Sequence, residues 1–171
     1  MGHISKEFYT INQSLDRFLF IAELVTVLPE QLENGDFVIT RKQLEALLPA
    51  GNKTEAIVIR TLSNSLTKLS TNYSNTNPPY ILREAIEFLN EASVMHLLID
   101  MPSIDREVDG GKLEAHHAFW NYPEKPQLHK TITEFIYVPN EVLDGTYLLN
   151  LQIGPFENDA SPGKPVLYQV Y

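Results

Sequence analysis

The chain has 171 residues, enough for one domain with a sizeable core and no need of disulfide or metal staples. Its 43% hydrophobic and 20% charged residues exclude a disordered tail, a collagen-like repeat and a coiled-coil rod. Against 22 acidic side chains stand 13 basic ones, a formal charge of −9 that argues against nucleic-acid and anionic-membrane partners, and the absence of cysteine excludes a disulfide framework and a thiol nucleophile while suiting a reducing cytoplasm.

The first residues, Met1 to Glu7, lack the basic flank and apolar core of a signal peptide. Residues 14–20 read as a short helix capped by Ser14. Residues 21–28, rich in apolar and β-branched types, read as a strand. The longest apolar stretch, Phe18 to Leu28, is broken by Glu23 and Thr26 and is too short to span a bilayer. Thr40 caps a helix over 41–48, with Leu44, Leu47 and Leu48 on one face, and Pro49-Ala50-Gly51-Asn52 ends it. Glu55 to Arg60 is the short apolar run of a strand buried on both faces. Residues 62–79 are rich in Ser, Thr and Asn and read as a long loop. A helix follows over 80–91, its apolar face made of Leu82, Ala85, Ile86 and Leu89. Val94 to Ile99 is a second buried strand. Residues 100–130 read as a long, largely irregular segment, the kind that carries function or moves. Three strands close the chain, over 131–138, 146–153 and 166–170, with Asp144-Gly145 as a turn signal. The order specifies one α/β domain with a mixed sheet.

Several residues could carry chemistry. Asp100-Met101-Pro102-Ser103-Ile104-Asp105 follows a buried strand, where sites in α/β folds commonly lie. The plainer reading is a turn whose Asp and Ser bond their own backbone. In His116-His117 imidazole suits metal ligation or general base work, and adjacent residues cannot both point one way, so at most one is a ligand. Glu134 falls on the face of Ile132 and Ile136, a costly place for a carboxylate unless it is paired or binds metal; the alternative is a charged edge-strand residue facing water. His96 reads as a satisfied core histidine and His129 as a loop-surface one. The run from Asp105 to Glu114 alternates in sign and reads as a solvated loop. No phosphate-binding glycine loop, no Gly-x-Ser-x-Gly and no His-Glu-x-x-His is present.

Taken in order, these pieces resemble the cyclase family of metal-dependent hydrolases, which includes bacterial kynurenine formamidase and isatin hydrolase. Leu98 to Asp105 followed by Ala115-His116-His117 is similar to that family's Asp-x-Pro-Ser-x-Asp … Ala-His-His block. Gly145-Thr146-Tyr147 and Ser161 to Val166 look like its closing strands, and Glu55 to Thr61 with the helix at 80–91 fits its middle. The resemblance implies a swivelling β/β/α-type fold, a small-molecule amide or cyclic amide as substrate, and a divalent metal, zinc or manganese. The family hallmark is His-x-Gly-Thr-His-x-Asp-x-Pro-x-His. Gly2-His3-Ile4 matches its end, which makes His3 the acid–base histidine. His116 then corresponds to a later metal ligand and Glu134 to the bridging carboxylate, with an apparent insertion around Asn121 to His129. The first two histidines and the aspartate of the hallmark have no counterpart in these residues. The expectation is the carboxy-terminal portion of the family domain, carrying the scaffold and half of the site, with little or no hydrolysis of its own. A non-catalytic binding or assembly protein on the same fold is the alternative. An unpaired sheet edge would make the chain a homo-oligomer.

Overall fold

The structure is a computed structural model that describes residues 4–5, 9–48 and 54–170. Its parallel heart comes from three apolar runs: β1 (Leu19–Val27), β4 (Ala56–Thr61) and β6 (His96–Ile99). Every residue of β4 and β6 is buried, as expected of strands covered on both faces. The main sheet runs β7-β6-β4-β1-β8-β9, where β7 is Thr131–Thr133, β8 is Gly145–Ile153 and β9 is Gly163–Gln169. The first four neighbours pair in parallel; β8 is antiparallel to β1, and β9 to β8. A smaller sheet joins β2 (Glu30–Gln31), β3 (Phe37–Ile39) and β5 (Tyr80–Ile81). This is the mixed α/β architecture expected.

Alternation along the strands sorts two cores. Val25, Val27, Ile57, Ile59, Leu97 and Ile99 face helices α2 (Arg41–Leu47), α3 (Arg83–Glu91) and α4 (Glu114–Trp120), which contribute Leu44, Ile86, Leu89 and Phe119. Phe20, Ala22, Leu24, Val58, Leu98, Leu149 and Leu151 form the second core on the other face. Each buried Val, Leu, Ile or Phe side chain among these contributes about 1.5–3 kcal/mol. Thr40 caps α2 as expected: its hydroxyl accepts from the Gln43 amide at 3.3 Å, and its own amide donates to Gln43 Oε1 at 3.0 Å. Pro49 to Asn52 lie outside the described residues.

Four expectations change. The first helix, α1, spans Ile11–Ser14, so Ser14 ends it instead of capping it, and Leu19 already belongs to β1. Strand pairing wins there, since Phe20 is buried in the second core and Leu19 pairs with Asn150. The helix expected from 80 starts at Arg83 because Tyr80 and Ile81 pair with Val38 and Ile39. The segment 100–130 contains α4, whose residues 115, 116 and 118–120 are buried. The strand expected over 131–138 stops at Thr133, because Phe135 takes a left-handed φ of 57°. Asp144-Gly145 does turn the chain into β8, but β7 and β8 lie at distant places in the sheet and form no hairpin. His96 is the core histidine expected: its Nδ1 lies 2.9 Å from Thr131 Oγ1, its ring 4.0 Å from that of Phe20, and burial pushes its pKa down to about 4, leaving it neutral. His129 is exposed on its loop.

Candidate active site

β6 ends in Asp100, and the chain then loops to α4 through Asp105. Asp100 is buried and takes three donors: the Thr61 amide at 2.9 Å, the Thr61 hydroxyl at 2.8 Å and Lys68 Nζ at 2.7 Å. Lys68 sits in a 3-10 turn (Leu66–Leu69), so this ion pair ties the 62–79 loop to the end of the sheet. Beside it Arg60, also buried, donates to Thr26 Oγ1, to the Pro139 and Val142 carbonyls and to Asp144 Oδ1, all within 2.7–2.9 Å. Both clamps fix loops at the carboxyl end of the parallel strands, where α/β folds place their sites.

Asp105 is the organising residue. Helix α4 begins at Leu113 in a left-handed conformation with no side-chain cap of its own. Its open N–H groups are met from a distance: Asp105 accepts from the Ala115 amide at 2.7 Å and the His116 amide at 3.1 Å. Asp105 Oδ2 also lies 2.5 Å from His116 Nδ1. A carboxylate there holds the proton on Nδ1 and directs Nε2, as a lone-pair donor, to the other side of the ring. Nε2 faces Glu134, whose Oε1 stands 3.7 Å away. Glu134 Oε1 also accepts from the Ile104 amide at 3.2 Å. Burial raises the Glu134 carboxyl above the usual carboxylate range; His116 and the Ile104 N–H oppose that rise, and Asp105 adds to it. The Trp120 ring packs 5.4 Å from His116, centroid to centroid, and donates to the Lys130 carbonyl at 2.9 Å.

His116 and Glu134 border a cavity of about 930 Å³ whose wall is mostly apolar, with Trp120, Leu98 and Leu149, and carries Lys130, Asp159 and Lys164 as well. That volume and lining suit a small organic molecule.

The structure thus brings together the two proposed metal ligands, while His3 lies outside the described residues. His117 points elsewhere, its ring edge-on to Tyr122 at 5.3 Å. Sequence reasoning treated Asp105 as a turn residue. Its amide does accept that role, donating to Ser103 Oγ at 3.1 Å, but its carboxylate serves His116 eleven residues on. Only the loop from β6 into α4 reveals this. Lys68 and Arg60 were missed for the same reason, because their partners are distant in the chain.

The residues fit a divalent metal in kind. Two donors on one tetrahedral ion at about 2.0–2.1 Å each would stand roughly 3.4 Å apart, near the separation seen. They do not complete a site by themselves: among the described residues no group of three or more His, Asp or Glu could hold an ion.

The Cyclase family model, described as "Putative cyclase", matches residues 1–106. The chain belongs to the Cyclase family. The match takes in Asp100 to Asp105 and ends before His116 and Glu134. None of the curated proteins matches the chain. Among solved structures, a "potential metal-dependent hydrolase with cyclase activity" superposes with a TM-score of 0.70 at 16% identity, over 96% of this chain and 73% of that one. An isatin hydrolase bound to the product analogue thioisatinate gives 0.56 at 16% identity, over 96% and 65%. Isatin hydrolase A from Labrenzia aggregata, bound to benzyl benzoate, gives 0.63 at 13% identity, over 97% and 66%. At these identities the likeness establishes the shared fold. The chain spans about two thirds to three quarters of the length of those chains.

Proposed function

We propose that the chain is a hydrolase of amides or cyclic amides, built around a divalent metal, zinc or manganese, that His116 and Glu134 help to hold. The observation that carries this reading is the Asp105–His116–Glu134 alignment at the cavity wall. When bound, a divalent metal polarises a carbonyl and lowers the pKa of a coordinated water. The chain's own residues prepare for that chemistry. Asp105 fixes the tautomer and tilt of His116, Trp120 packs against the imidazole, and the apolar part of the cavity wall, Leu98, Leu149 and Trp120, offers a substrate ring its packing surface. His3 is the residue proposed to hand a proton to the leaving nitrogen. The reading includes weak activity from these residues alone, because the described part supplies two donors and a catalytic zinc usually takes three from protein. It also includes a homo-oligomer, since strand β9 forms an outer edge of the main sheet with Tyr168 and Val166 exposed.

That shortfall in donors favours the second reading, a binding or assembly protein on the cyclase fold. Elemental analysis of the purified chain separates the two. Bound zinc or manganese, lost in His116→Ala and Glu134→Gln, together with slow hydrolysis of an aryl formamide or isatin, supports the hydrolase. No bound metal and no hydrolysis with added zinc or manganese refutes it.

A further inference from the structure

The strand expected to run on through Glu134 is interrupted there, and the interruption has a defined form. In the parallel ladder of β6 and β7 the Thr131 amide donates to the Met95 carbonyl, and Leu98 pairs with Thr133. An unbroken register would bring the Phe135 amide to the Ile99 carbonyl. The Ile136 amide is there instead, at 3.2 Å, and the Phe135 amide donates to the Met101 carbonyl at 3.0 Å. One extra residue has been taken into the strand path, a bulge immediately after Glu134. Phe135 meets it with a φ of 57°, a conformation that glycine accepts freely and a bulky L-residue resists.

Burial of the ring does not offset that resistance. Phe135 is 65% exposed, and its ring touches that of Tyr73 only loosely, with centroids 6.2 Å apart. What the bulge does fix is the residue before it. Glu134 Oε1 is brought within 3.2 Å of the Ile104 amide and 3.7 Å of His116 Nε2. Bulges re-aim side chains in this way beside active sites.

We propose that Phe135 is a positioning residue: its left-handed backbone, and not its ring, aims the Glu134 carboxylate at His116. The proposal deepens the hydrolase reading above and rests on it for its purpose, while the geometry it asserts holds with or without metal.

The test is a substitution series chosen by tolerance of a left-handed backbone, with Phe135 replaced by Gly, Asn, Ala or Val in the full chain. The readout is the imidazole carbon–proton cross-peak of His116 by NMR at fixed pH without metal, assigned with His116→Asn, with Glu134→Gln marking loss of the carboxylate. Phe135→Gly and Phe135→Asn are expected to keep the wild-type cross-peak, since both residues accept positive φ. Phe135→Ala is expected to move part of the way, and Phe135→Val to coincide with Glu134→Gln. If all four variants shift alike, the ring does the aiming and the proposal fails; it fails equally if Phe135→Val keeps the wild-type signal. Should the valine variant not fold, the glycine–alanine contrast decides the same question. Titration with Co²⁺, read by its visible absorption, separates this inference from the reading beneath it. Where wild type binds Co²⁺, Phe135→Val weakens it by about tenfold or more and Phe135→Gly leaves it within about threefold. Where wild type binds none, the metal-dependent hydrolase reading falls, and the metal-free cross-peaks still decide the role of Phe135.

Discussion

Asp105→Ala removes one carboxylate and strands three donors at once: the Ala115 amide, the His116 amide and His116 Nδ1. Both side chains are buried, Asp105 7% and His116 5% exposed. Each buried donor left without an acceptor costs about 1–3 kcal/mol, and the start of α4 also loses the negative charge that its helix dipole favours. Partial relaxation brings the expected loss to about 3–5 kcal/mol. For a chain of this size that is a fall in melting temperature of roughly 6–20 °C. Asp105→Asn keeps one acceptor oxygen but presents an amide N–H towards His116, so about 1–3 kcal/mol is expected. Urea unfolding followed by fluorescence is a direct assay, because Trp120 is the sole tryptophan and its ring rests on His116. A loss below about 1 kcal/mol for Asp105→Ala, from curves of unchanged slope, would refute the reasoning. It would mean that water or another side chain serves these donors.

Arg60→Met should cost about 2–4 kcal/mol, since it leaves the Pro139 and Val142 carbonyls without their donor and takes the ion pair from Asp144, which keeps only its Thr26 bonds; Arg60→Lys should recover little, lacking the planar fork, and denaturant melts of both variants check this. Hydrogen bonds from Arg106, and then from Asn77, hold the Asp36 carboxyl at about 2, below its usual 3.8. Its stabilising effect is therefore full above about pH 4 and lost as pH falls through 2; thermal melts of Asp36→Asn should show a flatter acid limb in that window. Burial pushes Lys130 down to about 8 from 10.5, so between those values the unfolded chain holds a proton that the folded chain has released, and stability rises with pH. Lys130→Met should remove that rise, as read from melting temperatures taken between pH 8 and 10.5.

The parts of this molecule legible in its sequence are those governed by near neighbours. The apolar run Glu55 to Arg60 could only be a buried strand, and the Thr40–Gln43 capping box announced α2 within four residues. The pairing of His116 with Glu134 came from family resemblance, and the structure places their side chains on one cavity wall. What local pattern could not show is long-range. Asp105 looks like a turn residue until α4 is folded against it, and Lys68 looks like loop decoration until Asp100 is buried beneath it. Strand pattern also misled at Glu134. Ile132, Glu134 and Ile136 suggest an alternation that the bulge at Phe135 breaks, and no residue nearby is a glycine to give warning.

The place of β1 has a consequence for synthesis. It pairs on one side with β4, soon after it in the chain, and on the other with β8, so that Leu19 waits for Asn150. At 5–20 residues per second, a ribosome leaves that second edge without a partner for on the order of ten seconds. Throughout that interval Leu19 and Ile21, still partly exposed in the finished fold, stand on a strand with open hydrogen-bonding groups. Chaperone capture of the nascent chain should therefore centre on β1 and end once β8 emerges.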